Sequence, residues 1–138
     1  QRAVATLDEP ARLELADLVL SSVHTRHLDT SLAWRSDLGG GHSVTYSGDS
    51  GECEALARLA HRTSLFACEC SFPEEEAVPN HLTPSGAAAI AAAAGAEKLL
   101  LTHFYPAMDP AEARARAARV FSGPIECARD GSVHRVGA

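Results

Sequence analysis

Apolar and polar residues alternate over residues 12–25, well enough for one or two strands. Residues 31–36 predict a second short strand, and Gly39, Gly40 and Gly41 a turn after it. Residues 42–47 predict a third strand, which Gly48 ends. The rhythm then changes. Residues 52–61 read as a helix, with Leu56, Leu59 and Ala60 on one face. Residues 64–69 are apolar enough for a buried strand. Two prolines and the run Glu74, Glu75, Glu76 make residues 72–80 a loop, with the acidic run read as solvated.

Thr83 is a good N-cap and Pro84 suits the first helical position. The helix runs through an alanine tract and Gly95 stops it. Its small side chains suggest close packing against a sheet. Residues 98–102 form a short apolar strand. Asp109 caps another helix, with Pro110 first and Ala113, Ala117, Val120 and Phe121 along one stripe. Arg114, Arg116 and Arg119 fall off that stripe and read as a solvated surface. Short strands around Ile125 and Val133, across the Asp130, Gly131 turn, close the chain. Strand–helix alternation from residue 42 onward implies an α/β layered half-domain.

Composition narrows the class. At 138 residues the chain has the length of one domain. No apolar run approaches the roughly 18 residues of a membrane span. A formal charge of −6 lacks the basic footprint of a nucleic-acid binder, so long nucleic acid is not an expected partner. Cys53, Cys68, Cys70 and Cys127 show no CxxC spacing. Cys68 and Cys70 sit in an apolar run and read as core residues, and free thiols fit a reducing cytoplasm. The first residue is Gln1, with no charged segment followed by an apolar run, and a trimmed N-terminus is expected.

Three segments carry chemistry. Asp49 ends a strand in a Gly-Asp-Ser-Gly turn, either as a metal-holding carboxylate or as a turn residue capping Ser50. His103 follows Leu-Leu-Leu-Thr at the end of a buried strand, either as a ligand or as a hydrogen-bonded structural histidine. His81 sits where a loop enters a helix, and by itself reads as a surface residue. His24 and His27, three apart, fall on opposite faces of a strand, so they do not form a ligand pair there. His27 is preferred, with His24 facing away or supporting it. His42, His61 and His134 have no supporting context and read as surface residues.

In order, these motifs resemble the C-terminal half of the metallo-β-lactamase-fold hydrolases, in the branch containing ribonuclease Z and related phosphodiesterases. The resemblance covers about residues 12–138 and rests on five matches. His27 precedes the aromatic–Arg pair Trp34, Arg35. A Tyr-Ser-Gly-Asp-Ser run occupies residues 46–50, with Ser50 where the family has Thr. Glu69 is followed by Cys70 and Ser71. His81, Leu82 and Thr83 form His-x-Thr before a helix, and Leu101, Thr102 and His103 form Leu-Thr-His.

The resemblance implies roles. Asp49 would bridge two metals, His27 would complete the first site and His103 the second. His81 would donate a proton to the leaving group, oriented by Glu69. Ser50 would hold Asp49 in position. The implied fold is a four-layer αββα sandwich, of which this single partial domain, residues 1–138, is the C-terminal half. The implied cofactor is zinc, two per complete site, with manganese or iron also suited to N/O ligands. A metal-activated hydroxide would attack a small phosphodiester or nucleotide-like substrate. The expected partner is the missing N-terminal half or a second copy in a homo-oligomer, with Val19, Val23, Leu65, Leu99 and Leu101 near the seam.

Two departures stand against this. The family's His-x-His-x-Asp-His motif occurs nowhere in these residues, so the chain alone is expected to be inactive. Residues 105–109 also lack the Arg-Tyr pair that follows Leu-Thr-His-Phe in ribonuclease Z, which speaks against tRNA processing. Two rival functions remain: a non-catalytic interaction subunit that keeps the half-fold, and an ester or thioester hydrolase of the same fold.

Overall fold

The computed structural model describes residues 12–137; residue 138 and residues 1–11, part of the expected domain, lie outside the described residues. Seven strands form one sheet in chain order: β1 (Arg12–Leu15), β2 (Leu18–His24), β3 (Leu32–Asp37), β4 (Ser43–Tyr46), β5 (Leu65–Glu69), β6 (Leu99–Thr102) and β7 (Ile125–Cys127). The first three pairings are antiparallel and the last three parallel. Antiparallel neighbours need only short loops, here a turn at Ala16 and Asp17 and the run Gly39, Gly40, Gly41, all three at positive φ. Parallel neighbours need crossovers, supplied by α1 (Glu54–Leu59), α2 (Pro84–Ala94) and α3 (Pro110–Ala117).

Local chemistry sets the helix ends. Thr83 Oγ1 accepts from the Gly86 N–H at 3.2 Å, Pro84 opens α2, and Gly95 stops it at φ 63°. Asp109 Oδ1 accepts from the Glu112 N–H at 2.9 Å and starts α3. Ala87, Ala88, Ala91 and Ala94 of α2 are buried, so the alanine tract lets this helix lie close to the sheet. The core forms between the three helices and one sheet face, around Leu56, Phe66, Cys68, Leu99 and Leu101.

Several expectations change. Helix α1 ends at Leu59, because Arg62 turns back at φ 50° to bond the Ala94 carbonyl. Helix α3 ends at Ala117, so Val120 leaves the stripe and is exposed, while Phe121 stays buried. No strand forms around Val133, which is 81% exposed. Side chains tie that segment down instead, with His134 Nδ1 2.8 Å from Glu126 Oε2, so His134 is not a bare surface residue. The acidic run is also not simply solvated: Glu74 and Glu75, on a 3-10 turn over Glu74–Glu76, both accept from Arg116 Nη1.

The seam list is corrected as well. Paired residues share a face, so Leu99 and Leu101 lie with Phe66 and Cys68 against the helices, and Val23 packs against that same core. Val19, two residues before Ser21 on the same strand, shares Val23's face. Leu65 alone of the five faces away, alongside Val44 and with Trp34, Tyr46, Ala67 and Leu100 on the same face.

Candidate metal and proton-transfer site

The site gathers beyond the carboxyl ends of the parallel strands, where open α/β sheets place ligands. Asp49 follows β4, Glu69 ends β5, and His103 follows β6. The turn before Asp49 needs glycine: Gly48 has φ 58°, and a Cβ there would lie 2.6 Å from the Leu32 carbonyl oxygen. Ser47 Oγ accepts the Glu69 N–H at 2.9 Å, and Thr25 Oγ1 donates to the Asp49 carbonyl at 2.7 Å. These bonds lock the turn to β5 and to the loop after β2. Ser50 acts through that frame and not on the Asp49 carboxylate. Its N–H donates to Glu69 Oε1 at 2.8 Å, and its hydroxyl donates to the Gly51 carbonyl at 2.6 Å.

Glu69 is the hub. Its side chain is 1% exposed and each oxygen has two partners. Oε1 meets the Ser50 N–H and His81 Nδ1, both at 2.8 Å. Oε2 meets Ser71 Oγ at 2.6 Å and the Leu82 N–H at 3.1 Å. A buried carboxylate of this kind is tolerated because every lone pair is used. His81 therefore presents one nitrogen to Glu69 and keeps Nε2 for other chemistry.

His103 takes a left-handed backbone, φ 58°, uncommon for a residue with a Cβ and often a mark of a functional position. Its Nδ1 lies 2.9 Å from Ser71 Oγ and 3.6 Å from Asp49 Oδ1. His27 joins through its ring, 4.9 Å from that of His81 centroid to centroid, with Nδ1 3.1 Å from Ser31 Oγ. His24 is exposed, beside His27 on the same cleft. Five predicted residues thus converge: His27, Asp49, Glu69, His81 and His103.

Glu69, His81 and His103 bring ligand atoms within 4.8 Å of one another, a possible metal-holding group. The Ser71 hydroxyl lies among them, however, and Glu69 has no lone pair to spare. Asp49 and His103 fit a metal better. Their side chains are 38% and 34% exposed, and no hydrogen bond reaches the Asp49 carboxylate among the described residues. A carboxylate without a donor beside an imidazole is an incomplete N/O set that a divalent cation would complete. Cys68 and Cys70 are not part of it. Burial pushes the Cys68 thiol well up and the Cys70 thiol up to about 12, so both stay protonated in the core.

Sequence reasoning gave three groups of the site no role. Phe72 and Tyr105 wall the site, their rings 5.7 Å from that of His81 and 4.7 Å from each other. No pattern in either loop marks them. Ser71 was named after Glu69, and its spacing of two puts it on the same side of an extended chain, but the histidines it meets lie 10 and 32 positions away.

Known proteins resemble this chain in sequence and in fold. Residues 2–104 match the model of the Beta-lactamase superfamily domain. A Mycobacterium tuberculosis protein of uncharacterized function is 36% identical over 102 residues, covering 70% of this chain and 37% of its own length. The ribonuclease Z of Thermobifida fusca is 40% identical over 89 residues, 59% of this chain and 28% of its own. The crystal structure of the metallo-beta-lactamase fold protein YhfI from Bacillus subtilis superposes with a TM-score of 0.87 at 28% identity, over 95% of this chain and 54% of its own. The chain therefore spans about half or less of the length of these relatives. With a family match over residues 2–104 and the sheet and helix layer of that fold, the chain belongs to the metallo-beta-lactamase superfamily.

Proposed function

We propose that this chain carries the proton donor and part of the metal ligands of a metal-dependent hydrolase, and that the complete enzyme cleaves phosphodiesters. The observation that carries this reading is the juxtaposition of two pairs: His81 on Glu69 at 2.8 Å, and His103 beside Asp49 at 3.6 Å. One pair is built to orient a proton and the other to hold a cation. Asp49, His103 and His27 would hold the metal, zinc by preference. Once bound, such a cation lowers the pKa of a water to roughly 7 and so supplies a nucleophile at neutral pH. Glu69 fixes the His81 ring through Nδ1–H, so that the ring, when protonated on both nitrogens, can give its Nε2 proton to the departing oxygen. A relative named ribonuclease Z supports a phosphodiester as the bond cleaved. The sequence spans only part of its relatives, so the remaining ligands and the second sheet would come from a missing half of the fold.

The test uses the complete enzyme and a chromogenic phosphodiester. His81→Ala should lower turnover by about 10²–10⁴-fold with metal content unchanged. Asp49→Ala should lose metal and activity together. If both variants lost metal equally, this division of roles would be wrong. The chain alone, with three ligands for two metal positions, should hold no fully occupied dinuclear site. Two tightly held zinc ions per isolated chain, found by elemental analysis, would contradict that.

A further inference from the structure

Ser71 is fully buried between His81 and His103, and its hydroxyl has three polar neighbours. Oγ lies 2.6 Å from Glu69 Oε2, 2.9 Å from His103 Nδ1 and 3.3 Å from His81 Nδ1. A hydroxyl has one proton to give and lone pairs to receive, whereas a carboxylate only accepts. The Ser71 proton therefore goes to Glu69, along the shortest of the three contacts. His103 Nδ1 must then be the donor to Ser71. His81 Nδ1 has a nearer acceptor in Glu69 Oε1, at 2.8 Å, and gives its hydrogen there.

We propose that Ser71 is a positioning residue that relays the Glu69 carboxylate to His103. Through Ser71, Glu69 holds His103 as the Nδ1–H tautomer and leaves the Nε2 lone pair free for a metal ion. One buried carboxylate thus sets the hydrogen positions of both imidazoles, His81 directly and His103 through one hydroxyl. Asp49 Oδ1 lies 3.6 Å from the same nitrogen, beyond hydrogen-bond length; that distance sets the ring beside the carboxylate, while the nitrogen offered to a cation is Nε2. Ser71 also grips the turn by its backbone. Its carbonyl accepts the Tyr105 N–H at 3.2 Å, just past the left-handed residue His103. The consequence for metal rests on the reading of His103 as a ligand; the tautomer itself does not.

The experiment is long-range ¹H–¹⁵N NMR of histidine-labelled protein, at an alkaline pH where an imidazole is ordinarily neutral. In the unaltered protein His103 and His81 should both be Nδ1–H; a His103 in the Nε2–H form overturns the proposal, whatever any variant does. In Ser71→Ala, with an amide spectrum showing an intact fold, His103 should shift towards Nε2–H. His81 should stay Nδ1–H, since Glu69 Oε1 is untouched. An unchanged His103 tautomer in that variant overturns the relay. Zinc affinity of Ser71→Ala should also fall by about 10–100-fold, the usual cost of losing a group that orients a metal ligand. A tautomer that moves while zinc affinity holds leaves the relay standing and removes His103 from the ligand set, so the two readings fail separately.

Discussion

Gly51 joins the two sides of the site. A Cβ on it would overlap the Pro79 carbonyl oxygen and crowd Asn80, so the Asp49 turn and the loop leading to His81 meet backbone to backbone. The Gly51 N–H also bonds the Arg26 carbonyl at 2.9 Å, which fixes that turn from its other side. Gly51→Ala must therefore displace residues 79–81 or strain the turn. Its expected cost is about 1–3 kcal/mol, the range of an overpacked site, read as a lower urea midpoint. Turnover of the complete enzyme should fall as well, because His81 moves relative to Asp49. A variant with unaltered midpoint and turnover would show that this close approach is dispensable. The sequence marked Asp49, His81 and His103 because each lies where an apolar element meets a loop, and their order did the rest. It left Gly51 and Ser71 without roles, since close backbone approach and a shared hydroxyl are facts of three dimensions.

At the level of elements, Arg116 of α3 holds the segment that leads to His81. Its guanidinium meets Glu74 and Glu75 of the 3-10 turn and Glu112 of its own helix, and Glu74 Oε1 also accepts the Ser85 N–H at the start of α2. Partial burial pushes the Glu74 carboxyl up, but bonds from Arg116 and Ser85 outweigh it and leave the group below its ordinary value. A carboxyl lowered by folding adds stability above its unfolded pKa, and that contribution is lost as pH falls through the folded value. Arg116→Ala should thus be less stable than the parent near neutral pH, with the gap closing as pH drops below the ordinary carboxylate range. Urea midpoints of the two proteins against pH check this; a constant gap would contradict it. The caps at Thr83 and Asp109 were legible because capping is local chemistry. The Arg116 clamp was not, because its partners are some 40 residues apart in sequence (41 and 42 positions). The strand expected at Val133 failed for a related reason: periodicity cannot reveal whether a neighbouring strand offers a ladder, and Glu126 instead holds this segment through His134.

On the scale of the whole molecule, the two sheet faces differ. One carries the three helices and the core; on the other, Leu65 and Leu100 are already buried, Trp34, Val44 and Ala67 are half-buried, and Tyr46 is 46% exposed. Apolar surface of this kind favours a cover by roughly 25 cal/mol per Å² removed from water. On the function proposed above, the cover would be a second sheet from the rest of the fold, because sheets pack face to face and the chain spans 54% of the YhfI structure it superposes on. Trp34 is the chain's single tryptophan and lies on this face beside Tyr46, so it reports on the cover. Adding the missing half to the chain should shift Trp34 emission to shorter wavelength, and sedimentation should show a one-to-one complex. Tyr46→Glu should weaken that complex, since a charge on this exposed position would be buried without a partner only when the cover is in place. The helix-face core, with Leu99 and Leu101, should keep its amide protection in the same variant. A chain that stays monomeric at high concentration, with protected central strands and a Trp34 emission that the missing half does not move, would show that this face needs no cover and that the chain folds as a complete domain.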